Sequence, residues 1–92
     1  MAPRWTDSTG KHGIPRDDQV YAIVHSTYSG KLPDAGSAGG EVWPYIGHPH
    51  PQTDREIEIL VEAFSDGREA LVFHAMELGP KFRRHREENP DG

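Results

Sequence analysis

Two apolar runs dominate the chain, from Glu56 to Phe64 and from Arg68 to Met76, and Ser65-Asp66-Gly67 separates them. Their β-branched and aromatic content predicts two strands, and Asp-Gly between such runs predicts a tight two-residue hairpin. With Asp66 and Gly67 at the centre of the turn, Ala63 faces Ala70, Val61 faces Val72 and Ile59 faces His74. One face of the hairpin then carries Ile57, Ile59, Val61, Val72, His74 and Met76, apolar apart from the histidine. The other carries Leu60, Phe64, Leu71 and Phe73 in its centre with Glu58, Glu62 and Glu69 around them. A solvated face does not need so much apolar area, so Leu60, Leu71 and Phe73 predict a cover. Three covers fit: Leu78 and Phe82 of the same chain, a second copy in a homodimer, or a partner protein.

Upstream, Pro15 pushes Ile14 out of the helical region and suits a first helical turn, and Asp17 and Asp18 follow where a helix dipole favours acids. A helix from Pro15 to about Ser26 puts Val20, Ile23 and Val24 on one face, predicted to pack on the first face of the hairpin. His25, beside that stripe, is predicted to be an ordinary edge histidine. Residues 1–10 show no period and are predicted to be loose, except that Trp5 can fold back on the core. Residues 29–40 are rich in Gly, Pro and Ser and read as a flexible loop. Gly39 and Gly40 lack the flanking residues of a phosphate cradle. Glu41-Val42-Trp43-Pro44-Tyr45-Ile46-Gly47 predicts a third strand, with Pro44 marking an edge or a bulge. The sum is an α+β domain over residues 11–86: an N-terminal helix on an antiparallel sheet of three or four strands, a short C-terminal helix, and a flexible acidic tail at 87–92.

Ninety-two residues suit one small domain, which buries roughly 60–70% of the surface of its unfolded chain. The chain has no cysteine, so disulfides and thiolate zinc sites are excluded. No apolar run approaches the ~18 residues of a membrane span, and the first residues lack the apolar core of a signal peptide, so a cytoplasmic protein is expected. His48-Pro49-His50-Pro51 invites a metal, but two imidazoles without further ligands at a known spacing read better as a proline-stiffened loop. No metal or cofactor is expected.

A formal charge of −5 argues against broad neutralisation of nucleic-acid phosphates. The cations are clustered, however. Lys81, Arg83, Arg84 and Arg86 fall close together around His85 and just after His74 and the Gly79-Pro80 break. One reading is a solvated helix end, partly cancelled by Glu87 and Glu88. The other is a phosphodiester site in which a histidine moves the proton and cations stabilise the charge on phosphorus. His74 itself reads either as a core-edge histidine or as that acid-base group. A DNA-binding regulator is poorly supported, since no helix-turn-helix can be drawn.

Lys11-His12-Gly13-Ile14 followed by acids and a helix, then Tyr45-Ile46-Gly47, Leu60-Val61, Val72-Phe73-His74-Ala75-Met76 and Pro80-Lys81-Phe82 resemble small actinobacterial proteins related to BrnT-type toxins. The resemblance spans roughly residues 11–84. It implies a fold similar to RelE-like ribonucleases and a toxin that cuts RNA until a cognate antitoxin covers it. Carried onto this chain, it implies His74, Lys81, Arg83, Arg84 and His12 as the catalytic group, with Lys11 and Arg86 binding RNA and Leu60, Leu71 and Phe73 binding the antitoxin. The chain departs from the family pattern at Met76 and Glu77, where a basic residue is usual, in the 29–40 insertion and in its acidic balance. The alternative is a non-catalytic interaction module that uses the apolar sheet face.

Overall fold

The structure is a computed structural model that describes residues 3–92. In chain order it contains β1 (Arg4–Trp5), a 3-10 helix (Asp7–Gly10), α1 (Arg16–Val24), β2 (Tyr28–Ser29), β3 (Glu41–Gly47), β4 (Ile57–Ala63), β5 (Leu71–Glu77) and α2 (Pro80–Glu88). The fold is α+β. Its sheet has five strands in the order β1-β5-β4-β3-β2, and β1 runs parallel to β5 while the other neighbours are antiparallel. This corrects the expected antiparallel sheet of three or four strands. The two additional strands span two residues each, too short to leave a period in the sequence.

Residues 3–10, expected to be loose, carry β1 and the 3-10 helix. Arg4 N–H donates to Ala70 O at 2.8 Å and Thr6 N–H to Val72 O at 3.0 Å, and Trp5 packs on the core as its apolar surface suggested. The segment covers an edge of β5 that would otherwise expose unpaired backbone groups. Pro44 lies inside a seven-residue strand. Thr27 N–H donates to Ile46 O and Leu32 N–H to Val42 O, so the even positions of β3 aim their backbone groups away from β4. The donor missing at Pro44 therefore falls on the outer side, where β2 pairs only with Tyr45 and Ile46.

The hairpin differs from the sequence expectation in two ways. Its connection runs from Phe64 to Ala70 rather than two residues, with Gly67 at φ 91° and the Arg68 guanidinium on Asp66 at 2.8 Å. Val61 faces Val72 as expected, but Leu60 faces His74 and Ile59 faces Ala75, leaving Phe73 as the extra residue of a bulge. One extra residue reverses the parity of everything beyond it. Ala75 therefore joins Ile57, Ile59, Val61 and Val72 in the core, and His74 moves to the face of Leu60 and Glu58.

α1 covers the first face through Gln19 and Ala22, both buried, with Ile23 half-buried. The expected Val20–Val24 stripe points outward, with Val20 42% and Val24 69% exposed. The reason is close approach: a β-carbon at Gly47 would lie 2.6 Å from Ala22 O, so the helix sits on small residues where valines would not fit. α2 covers the second face, placing Phe82 on Ile46 and Tyr28 with Leu32, Leu60 and Leu78 around them. Of the three covers considered, the one within the chain is present. Tyr28 O–H donates to Asn89 O at 2.7 Å, and burial pushes its hydroxyl pKa up, which keeps it a donor. The helix end at 80–88 is thus packed, not a frayed solvated arm.

The 29–40 segment is likewise tied down. Glu62, 2% exposed, accepts from Ala38 N–H at 3.1 Å and Gly40 N–H at 2.6 Å. We expect Glu62→Leu to lower unfolding free energy by about 1–3 kcal/mol in urea titration, because two backbone donors lose their acceptor. An unchanged midpoint would show that the loop does not depend on this carboxyl group.

Candidate active site

His74 sits in the middle of β5, and the bulge aims it at Glu58 on β4. His74 Nε2 lies 2.9 Å from Glu58 Oε2. The same carboxyl group accepts the Gly79 N–H through Oε1 at 2.7 Å. Gly79 is the N-cap of α2, so Glu58 joins the histidine to the start of the basic helix. Glu58 is 4% exposed, whereas the His74 side chain keeps 27% of its surface. One ring edge of His74 is therefore held while part of the ring reaches solvent.

His12 is brought to the same place from the other end of the chain. Its ring centroid lies 5.9 Å from that of His74, at an interplanar angle of 71°. The segment carrying it turns sharply at Gly13, whose φ of 75° is open to glycine and costly for other residues. Gly13 N–H donates to Gly10 O at 3.2 Å, and buried Gln19 donates through Nε2 to Thr9 O at 3.0 Å and Ile14 O at 2.8 Å. Gln19 thus fastens both ends of the turn that presents Lys11 and His12, which are exposed. Gln19 Oε1 is buried without a hydrogen-bond partner among the described residues.

The cations divide according to helical spacing. Phe82, His85 and Arg86 face inward at intervals of three and four residues. Arg86 Nη1 pairs with Glu56 Oε2 at 2.7 Å, locking α2 to the start of β4. The Arg86 hydrogen bond, opposed in part by burial and aided by the nearby charges of Arg86, His48 and Arg83, holds the Glu56 carboxyl below its ordinary pKa. Lys81 and Arg84 are exposed on one flank of α2, and Arg83, whose charge reaches Glu56, lies on the other. Among the described residues no hydrogen bond or ion pair joins His74 to Lys81, Arg83 or Arg84; the link is Glu58.

Of the residues expected to bind a partner, Leu60 packs under Phe82 and Leu78. Leu71 is half-buried beside Arg4, Phe64 and Arg68, and Phe73 is the bulge residue whose carbonyl accepts from Ser8 Oγ. The three do not form one open apolar face. His48 Nδ1 donates to Arg55 O at 2.7 Å, and His50 Nδ1 accepts from Gln52 N–H at 3.3 Å, so both rings brace their own loop. Among the described residues no three His, Asp or Glu side chains group as metal ligands. No helix among them is long and apolar enough to cross a membrane. In comparisons with known proteins, no family model, curated sequence or solved structure matches the chain.

Sequence reasoning missed Glu58. The usable signal was an acid alternating with isoleucines on a strand whose second face also needed cover. Two measurements follow. Glu58→Ala removes the acceptor of Gly79 N–H and the partner of His74 Nε2, and we expect it to lower the unfolding free energy by about 1–3 kcal/mol in urea titration; an unchanged midpoint would remove Glu58 from the site. The Glu56 pKa is lowered on folding, so the Glu56–Arg86 pair stabilises above the ordinary carboxylate pKa and its contribution disappears as pH falls through the folded value. Arg86→Ala should therefore cost up to about 1 kcal/mol at neutral pH and nothing below that range, as followed by thermal unfolding against pH.

Proposed function

We propose that the chain is an endoribonuclease of the toxin type, neutralised by a cognate antitoxin, and that His12 and His74 are its acid-base pair. The observation that carries the reading is the meeting of these two histidines, one exposed and one held by a buried carboxyl group, beside the start of a helix with three exposed cations. The resemblance to BrnT-type toxins and RelE-like ribonucleases, carried by the same residues, points the same way.

In this mechanism His74 donates Nε2–H to Glu58, which leaves Nδ1 to accept the proton of an RNA 2′-hydroxyl. The 2′-oxygen then attacks phosphorus, the bond from phosphorus to the 5′-oxygen breaks, and protonated His12 delivers a proton to the departing oxygen. The products are a 2′,3′-cyclic phosphate and a 5′-hydroxyl. Lys11, beside His12, would hold the non-bridging oxygens as charge builds, and Lys81, Arg83 and Arg84, on the two flanks of α2, would bind phosphates farther along the RNA. Arg86, engaged by Glu56, acts by fixing α2. The proposed site calls for no metal. The alternative, an interaction module docking on the apolar sheet face, has less support because α2 and Leu78 occupy the middle of that face.

The test is inducible expression in a bacterial host, following growth and total RNA, with a His74→Ala, Arg83→Ala, Arg84→Ala variant alongside. Growth arrest and RNA decay are expected from the parent chain and not from the variant. On purified protein, His12→Ala and His74→Ala should each lower cleavage about 10²–10⁴-fold without lowering thermal stability by a comparable degree. Intact RNA and normal growth from well-expressed folded protein would reject the proposal. So would cleavage that leaves no cyclic phosphate.

A further inference from the structure

A groove of about 480 Å³ runs between α2 and the start of the segment that links β2 to β3. Its floor is Leu32, Pro80 and Phe82, and its rim carries Lys81 and Arg84, with Glu88 at the far end. Leu32 is held in place by its N–H on Val42 O at 2.9 Å and by packing on the Phe82 cluster. We propose that this groove docks an acidic peptide segment of a partner protein that carries an apolar anchor residue.

Charge complementarity carries the choice. Lys31, Arg55, Arg68 and Arg86 each have a carboxylate partner within 4 Å, whereas Lys81 and Arg84 take part in no ion pair among the described residues. They stand one turn apart, about 4.5 Å along the axis, on a chain of net charge −5. Charges farther away than the Debye length of about 8 Å are largely screened, so a short acidic motif feels chiefly the two cations beside it and little of the acidic body. Glu88 disfavours a carboxylate at the other end, which gives the motif a direction along α2.

The floor separates a peptide from a nucleic acid. A phosphate backbone has nothing to place against Leu32 and Pro80. A base would need an open aromatic face, but Phe82 is 4% exposed with Lys81 Nζ 5.3 Å from its ring centroid, and the half-buried His85 ring in the same lining packs edge-on to Phe82 and donates to Gly30 O at 3.2 Å. The proposed motif places a leucine-sized side chain on this floor and its carboxylates at the rim. Binding does not require that the chain cleave RNA, although Lys81 and Arg84 are shared with that proposed activity.

The test is an NMR titration of the ¹⁵N-labelled chain with the peptide acetyl-Glu-Glu-Leu-Glu-Glu-Leu-amide. Shifts are expected at Leu32 and along 81–85, saturating at a Kd on the order of 10–100 µM. Lys81→Glu with Arg84→Glu, exposed positions whose exchange leaves the core intact, should weaken binding at least about tenfold, and so should 0.5 M salt. Three results would overturn the proposal: no shifts at millimolar peptide, equal shifts from acetyl-Lys-Lys-Leu-Lys-Lys-Leu-amide, or tighter binding at the same residues by a single-stranded RNA hexamer. RNA cleavage measured on the unaltered chain at low salt, with and without saturating peptide, reports separately on the catalytic reading.

Discussion

The buried carboxyl group of Glu58 is the constraint on which the arrangement of the second sheet face depends. It accepts the N–H of Gly79 and meets the Nε2 of His74, so one side chain fixes both the start of α2 and the direction of a histidine. A carboxyl group at 4% exposure is costly unless its oxygens are bonded, and here both are. α2 has no side-chain cap of its own, and the strand beneath supplies the acceptor instead. Because Lys81, Arg83 and Arg84 ride on that helix, Glu58 also determines where the free cations stand.

β4 uses the same device twice. Glu62, two turns of the pleat away, holds the backbone of the Gly-rich loop as Glu58 holds α2. Alternation of acid and isoleucine along this strand ordinarily signals one buried and one solvated face. Here both faces are covered, and each acid is bonded to a main-chain donor of the element that covers it. The cover is therefore specific: another helix or loop laid over this face would leave a buried carboxyl group without a partner.

The bulge at Phe73 connects the fold to the candidate site. Without the extra residue His74 would fall among Ile59 and Val61, and Ala75 would face α2. With it, alanine enters the tightly packed layer under α1 and histidine reaches Glu58 and His12. Burying a methyl group in place of an imidazole is the favourable choice for the core, and the same shift assembles the cluster.

Much of the frame was legible from local pattern. Three of the strands, both helices and the Val61–Val72 pairing follow from apolar periodicity, Pro15, Asp-Gly and Gly-Pro, while the same pattern showed that the second sheet face needs a cover and left open which of three supplies it. His12 and His74 were both visible as candidates, as were the basic residues of α2. The two-residue edge strands were not legible, since no period fits in two residues. Nor was the outward turn of Val20 and Val24, which depends on how closely Gly47 lets α1 approach. The sequence by itself determined which segments are apolar enough to pair and where the chain must break. Only the tertiary structure decided the bulge, the roles of Glu58, Glu62 and Gln19, and the meeting of His12 with His74. These depend on long-range register and on polar partners distant along the chain, which local periodicity does not encode.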